Sequence, residues 1–320
     1  MAVFTPVAQE DLAPWLHDRS VGELVKLKGI ASGIENTNYF VDTESGRFVL
    51  TIFEKLTARE LPYYLGLMAH LAARGLPVPS PKPSASGNLF STLMGKPAAL
   101  VDRLPGESAM QPNAAQCRAI GLFAAQAHHG ARDFALRHDN PRGLSWWEST
   151  RVEVHPFLPA DLCQLMDDEV ATQIDFSRSA DYALLPRSAV HADLFRDNAL
   201  FTGDVLGGVI DFYFAGDDAW LFDLAVCMND WCINHQSGAI QPDLANAMLR
   251  GYASEQPFTA ADQKAWPYML RAAALRFWMS RLFDFYMPRP AEMLTPKDPT
   301  HFERILKLRR LGDIPPLPCN

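Results

Sequence analysis

Val190-His191-Ala192-Asp193-Leu194-Phe195-Arg196-Asp197-Asn198 sets a histidine, an aspartate and an asparagine in the spacing H-x-D-x4-N. Runs with strand character surround it: Ser188–His191 before, Ala199–Phe201 after, and Gly208–Phe212 further on. Thr202-Gly203-Asp204 turns the chain between the last two, so a small hairpin is predicted here. Two more acids follow in order. Asp211 closes Val209-Ile210-Asp211, 18 residues after Asp193, and Asp223 sits 12 further on in the apolar run Trp220-Leu221-Phe222-Asp223-Leu224-Ala225.

These are the parts that phosphoryl transfer needs. A carboxylate must take the proton of an attacking hydroxyl, and hard oxygen ligands must hold Mg²⁺ against phosphates. Asp193 fits the base. Asn198 and Asp211 fit the metal, because both fall at strand ends of one hairpin. His191, entering from its strand, is expected to fix the loop backbone by hydrogen bonding. Asp223 needs a partner if it is buried, and the amides of the loop are a natural one.

Upstream, Leu24–Ile30, Thr37–Asp42 and Arg47–Phe53 read as three strands joined by short turns, an antiparallel meander. A helix follows over 62–72 and stops at Gly75. Gly75-Leu76-Pro77-Val78-Pro79-Ser80-Pro81 must run extended, since proline fixes φ and restricts the residue before it. Asn88–Thr92 and Pro97–Asp102 are further strand candidates, and Leu104-Pro105-Gly106 breaks the pattern. Beyond the break helices dominate: Pro112–His128, Pro242–Ala253, and one opened by the capping box Thr259-Ala260-Ala261-Asp262. The expected class is α+β in two lobes, an antiparallel-sheet lobe over 1–103 and a mainly helical lobe over 104–320. That is the outline of a bilobal protein-kinase-like fold.

Composition narrows the partners. The 320 residues carry 29 basic and 37 acidic side chains, a net charge of −8. A nucleic acid or an anionic membrane would call for a basic patch, and none is written in this chain. No apolar run is long enough for a transmembrane helix, and the first residues show no signal pattern. Five scattered cysteines, Cys227 and Cys232 among them, read as reduced core residues, so the expected setting is the cytoplasm. The expected partners are a small-molecule substrate and a nucleotide, and no oligomeric state is assigned.

HADLFRDN (191–198), VIDF (209–212) and WLFDLA (220–225) resemble the three signature segments of the aminoglycoside-phosphotransferase-like (APH-like) kinases. The likeness covers essentially the whole chain. FVLTIFEKL, ELPYYLGLMAHLAARGLPVPSP, FDLAVCMNDWC and RFWMSRL are most similar to the bacterial homoserine kinases of that type. The resemblance implies ATP and Mg²⁺ as cofactors and O-phosphorylation of L-homoserine, on the route to threonine. Another hydroxyl acceptor (choline, methylthioribose or an aminoglycoside) and a nucleotide-binding protein without turnover are the alternatives.

The resemblance also assigns finer roles. Most relatives carry a phosphate-gripping lysine on the third strand where this chain has Thr51, which leaves Lys28, Lys55 or the metal to compensate and makes the usual partner role of Glu60 doubtful. Gly29, Ser32, Gly33, Asn36 and Asn38 lie where a kinase covers the phosphates, and glycine there lets backbone amides approach an anion. Adenine is expected against the backbone near Val101 and Asp102. A zwitterionic acceptor needs a cation for its carboxylate. Arg276 and Arg281 suit that role or a structural acid such as Asp284, and Trp231, with Asn229 and Asp230, could line the same pocket. Tyr213 is expected either to touch substrate or to pack. His128 and His129, at a helix end, need no catalytic explanation.

Overall fold

The computed structural model describes residues 5–30, 36–287 and 297–318. The chain divides into two compact units, Met1–Gly106 with Gly207–Ile210, and Glu107–Leu206 with Asp211–Asn320.

The first unit holds helix α1 (Gln9–His17), strands β1 (Leu24–Gly29), β2 (Thr37–Thr43) and β3 (Gly46–Ile52), helix α2 (Leu61–Ala72), and strands β4 (Ser91–Leu93) and β5 (Lys96–Asp102). The strands form one sheet in the order β1-β2-β3-β5-β4, each neighbouring pair antiparallel. Side chains of β2 alternate between buried and half-buried along its length, the period-two pattern of a strand with one face on a core. Val41, Leu50, Ile52 and Leu100 meet Leu12 and Leu16 of α1 in that core. Helix α1 was not expected, because Pro14 and the acids Glu10 and Asp11 mask its short apolar face. Strand β4 starts later than the expected Asn88. Ser84 N donates to Asn88 O at 2.9 Å and Asn88 N to Ser84 Oγ at 3.2 Å, which closes a turn there instead. The proline-rich segment lies along β5, with Lys82 N donating to Leu100 O and Asp102 N to Ser80 O. Residues 207–210 join this unit through Val209 N, which donates to Pro77 O at 2.8 Å. A Cβ on Gly207 would stand 2.1 Å from Pro105 O, so only glycine fits that approach.

The second unit begins with strand β6 (Glu107–Ser108) and helices α3 (Ala114–Gly130), α4 (Leu144–Val154), α5 (Ala160–Ser177) and α6 (Ala180–Ala183). Strands β7 (Arg187–Val190), β8 (Ala199–Thr202), β9 (Val205–Val209) and β10 (Gly216–Ala219) follow, then α7 (Trp220–Trp231), α8 (Pro242–Ala253), α9 (Ala260–Tyr286) and α10 (Thr300–Arg310). Every residue of α7 is buried, so it is the central helix, apolar nearly all round. It packs along α9, which also meets α4 and α10. Helices α3 and α8 touch backbone to backbone. A Cβ on Gly121 would lie 2.0 Å from Met248 O, and one on Gly251 would lie 2.1 Å from Arg118 O. The capping box that opens α9 is present in both directions between Thr259 and Asp262.

The hairpin differs from its expectation at its far end. Strand β9 stops at Val209, Asp211 takes the left-handed conformation (φ 65°, ψ 58°), and Phe212–Phe214 make a single 3₁₀ turn. Strand β7 pairs with β10 rather than with the hairpin.

Candidate active site

The loop 191–198 is held by one helix. Asp223, in the first turn of α7, accepts from Ala192 N at 2.7 Å and from His191 N at 3.2 Å. Two turns further on the same face, Asp230 accepts from Arg196 N at 2.9 Å. Next to it, Trp231 Nε1 donates to Leu194 O at 3.0 Å. Backbone groups of 191, 192, 194 and 196 are thus all fixed from α7. The clamp is needed, because Ala192 sits at φ 60°, a conformation that a non-glycine residue holds only when its surroundings impose it.

Asp223 is itself tied down by His128, whose Nε2 lies 2.9 Å from its Oδ2, while His128 Nδ1 meets Tyr252 Oη at 3.1 Å. His128 is fully buried in α3 and stacks on Trp220. Burial pushes the Asp223 carboxyl up, but the hydrogen bond and charge of His128, with the Ala192 amide, outweigh it and hold the group below the ordinary carboxylate range. The charged form is the one that binds the loop.

Asp193 is the opposite case. Burial is the largest influence and raises its pKa to about 7; Arg276 opposes the rise, and the charges of Asp211 and Asp197 add to it. Asn198 Nδ2 donates to Asp193 O at 2.9 Å and reaches its Oδ2 at 3.4 Å. Asp193 N donates to His191 Nδ1 at 3.2 Å, which leaves the ring proton on Nε2. Arg276 Nη1 stands 4.0 Å from Asp193 Oδ1, with its guanidinium 3.8 Å from the Phe277 ring centre. The result is a largely buried carboxylate, its side chain 18% exposed, poised near neutrality with the exposed Asp211 acting on it.

Several expected roles change once the side chains are placed. Trp231, expected to touch substrate, is completely buried and braces the loop from below. Asn229 is also buried, donating to Leu270 O and accepting from Arg309 Nε. Arg276 is drawn to Asp193 rather than to an open pocket. Arg281 lies a turn and a half further along α9, over the Phe302 ring, and donates to Asp298 O at 3.2 Å. Tyr213 is half-buried in the 3₁₀ turn after Asp211. Cys227 and Cys232 are buried free thiols.

In the first unit, Thr51 Oγ1 donates to Asn38 Oδ1 at 2.8 Å across β2 and β3, where the two residues are register partners. Gly29 pairs with Tyr39, and Asn36 precedes β2. Ser32 and Gly33 lie outside the described residues. Val101 is buried, and Asp102, expected near adenine, has its amide on Ser80 O and its carboxylate on Lys82 at 2.8 Å. Glu60 accepts from Thr57 N and Thr57 Oγ1, which gives it a local capping role. Lys28 is exposed on β1. Sequence reasoning named His128 as a helix-end residue and Asp230 as a pocket candidate, and missed the bracing role of each. A buried acid on α7 demands a partner, and a second acid seven residues later shares its face; both signals were available.

The chain is similar to several known proteins. The sequence model of the phosphotransferase enzyme family matches residues 26–261. A homoserine kinase from Janthinobacterium sp. (strain Marseille) is 52% identical over 99% of this chain and 98% of its own. One from Cupriavidus necator is 52% identical over 99% of both. Among solved structures, amicoumacin kinase hAmiN in complex with AMP-PNP, Ca²⁺ and Ami superposes with a TM-score of 0.69, at 16% identity, over 97% of this chain and 96% of that one. That likeness shows the fold. Among the described residues no helix is long and apolar enough to cross a membrane. The chain belongs to the phosphotransferase enzyme family and, within it, to the homoserine kinases.

Proposed function

We propose that the protein transfers the γ-phosphoryl group of ATP to the side-chain hydroxyl of L-homoserine, in threonine biosynthesis, with Asp193 as the general base. The observation that carries the reading is the state of Asp193: a clamped carboxylate with its pKa near 7, flanked by Asn198 and Asp211. A base so tuned is about half ionised at pH 7, and its ionised form is basic enough to accept a proton as the hydroxyl attacks. The hydroxyl O–H bond breaks with its proton passing to Asp193. The oxygen bonds to phosphorus as the bond from phosphorus to the β–γ bridging oxygen breaks, and ADP leaves.

Asn198 turns its amide nitrogen toward Asp193, which leaves its carbonyl oxygen as a ligand opposite, and Asp211 offers an exposed carboxylate. These hard oxygens fit Mg²⁺, which takes most of its remaining ligands from phosphate and water. Bound there, the ion supplies charge neutralisation for the phosphates. Arg276 keeps Asp193 ionisable despite burial, and α7 holds the loop in the one conformation that aims the carboxylate. Thr51 brings no charge to the phosphates, since its hydroxyl proton already serves Asn38.

The test is ADP release with ATP and Mg²⁺ over a panel of L-homoserine, choline, methylthioribose and kanamycin. Turnover on homoserine at least about 100-fold above the others in kcat/KM is expected, since a site built for one set of polar groups rejects ligands that leave them unpaired. Preference for another acceptor would replace the substrate and keep the chemistry. ATP binding with no turnover on any acceptor would overturn the reading.

A further inference from the structure

Strand β7 ends at Val190, just before the loop that carries Asp193, and its partner β10 begins at Gly216, just after the turn that follows Asp211. Val190 and Gly216 are register partners, so this two-stranded ribbon governs how far apart the two carboxylates stand. The Phe212 ring lies 4.5 Å from the His191 ring and joins the two segments again beyond the ribbon's end.

Two strands alone are marginal and need a neighbour. The stretch 138–143, which precedes α4, supplies one. Asp217 N donates to His138 O at 2.7 Å, and Asp139 forms a parallel bridge with Asp217. Gly216 approaches Asn140 so closely that a Cβ on it would stand 2.5 Å from Asn140 Cα.

Asn140 is the centre of this contact. Its Nδ2 donates to Asp218 Oδ2 at 2.7 Å, and its Oδ1 accepts from Arg142 N at 2.9 Å. A carboxylate accepts and a backbone N–H donates, so the two partners assign both ends of the amide. Asp218 is largely buried, and its Oδ1 accepts from Ala219 N at 2.7 Å and faces Arg187 at 3.3 Å. The guanidinium of Arg142 lies 4.4 Å from the Trp146 ring centre and 5.9 Å from that of Phe214. Arg276, the partner of Asp193, lies 5.4 Å from the same Phe214 ring. Asn140 thus reaches the segment after Asp211 at both ends, at Gly216 and Asp218 directly and at Phe214 through Arg142. Asp211 itself sits at φ 65°, which a non-glycine residue holds only where its surroundings impose it.

We propose that Asn140 is a positioning residue for phosphoryl transfer: it holds β10 and Phe214 in place, and through them the Asp211 carboxylate at its distance from Asp193. The proposal rests on the roles given above to Asp193 and Asp211 and adds a group that touches neither metal nor substrate. Groups that orient a metal ligand from outside its coordination sphere typically change metal affinity by about 10- to 100-fold.

The experiment compares full chains: wild type, Asn140→Ala, Asn140→Asp, the double variant Asn140→Asp with Asp218→Asn, and Asp211→Asn. Binding of Mn²⁺ beside a non-hydrolysable ATP analogue, read from the EPR signal of free Mn²⁺, requires no turnover. Thermal melts and the Mg²⁺ dependence of kcat on L-homoserine accompany it. Asn140→Ala should weaken Mn²⁺ binding by about 10-fold and raise the Mg²⁺ concentration for half-maximal rate by a similar factor. Asn140→Asp sets two carboxylates face to face and should weaken binding further. In the double variant donor and acceptor trade places, and Mn²⁺ affinity should return to within about threefold of wild type. Folded Asn140→Ala and Asn140→Asp with Mn²⁺ affinity within about twofold of wild type would overturn the proposal. A folded double variant that binds no tighter than Asn140→Asp would overturn it too. If Asn140→Asp melts below the assay temperature, Asn140→Ala and the double variant decide. Unchanged Mn²⁺ binding in Asp211→Asn would remove the metal role of Asp211, and this proposal with it. Binding lost in Asp211→Asn and intact in the Asn140 variants would remove the positioning role alone.

Discussion

The loop 191–198 and the strand pair Asn38–Thr51 are the two places where the sequence pointed to phosphate chemistry, and they are built in opposite ways. The loop is fixed by three side chains of one buried helix, two of them charged or paired with charge. The strand pair offers one neutral hydrogen bond between a threonine and an asparagine. The contrast teaches where this enzyme places its electrostatics. Rigidity and charge are concentrated around Asp193, Asn198 and Asp211, the proposed base and metal ligands, and Thr51 on β3 carries no charge.

The sharpest way to break that contrast is to remove the brace. Asp223→Ala would leave two loop amides and His128 without their partner and free Ala192 from its left-handed conformation. We expect a loss of about 3 kcal/mol or more in unfolding free energy, the size found when one partner of a buried pair is removed, and a fall in kcat of at least about 100-fold. Melting curves and steady-state kinetics read both. A melting temperature unchanged from wild type would mean that α7 does not hold the loop.

Asp193 in the loop and Asp223 on the helix that holds it also predict opposite pH behaviour. Asp193 must be ionised to accept a proton, so kcat/KM should fall about tenfold per pH unit below its pKa of about 7 and level off above it. Stability runs the other way. An unfolded aspartate ionises near about 3.9, so the folded protein holds the extra proton between there and about 7, and the stability from this site is lost as pH rises through that window. Asp193→Asn should therefore melt above wild type at pH 8, with the gap closing toward pH 4. Asp223, with its pKa lowered, contributes stability present above the unfolded value and lost only in stronger acid.

Trp231→Phe sharpens the comparison further. It keeps the bulk under the loop and deletes only the bond to Leu194 O, so a loss of about 1 kcal/mol and a drop in kcat of about tenfold or less are expected. The smallest effect belongs to the strand pair. Thr51→Val should move the KM for ATP by no more than about threefold, since it removes one neutral hydrogen bond. A larger shift, measured by initial rates against ATP, would show that the threonine takes part in gripping phosphate.

Much of this was legible because the deciding signals are local. The H-x-D-x4-N spacing, the strands that flank it and the capping box Thr259–Asp262 are each written within a few residues. The meander was legible from alternation and turns. What was not legible depended on distant partners. The role of Trp231 followed from where α7 lies under the loop, and an apolar run does not announce which of its faces meets which neighbour. Helix α1 was hidden because three apolar residues around a proline look like a loop until Val41 and Leu50 are set against them. The end of β9 was misplaced because Val209-Ile210-Asp211-Phe212 has strand composition throughout, and the left-handed turn at Asp211 is imposed by tertiary surroundings. The bond from the Asp102 amide to Ser80 O was not legible either, because the two meet only where the proline-rich segment lies along β5.

The central claim is that Asp193 is a base clamped by α7. Its most direct test is single-turnover phosphorylation of L-homoserine by wild type and Asp193→Asn, with ATP affinity measured in parallel. The account predicts a fall of about 10³-fold or more in the phosphoryl-transfer rate with ATP affinity within about threefold of wild type. Transfer within about tenfold of wild type would contradict it, and the proton would then have to leave by a route that does not involve Asp193.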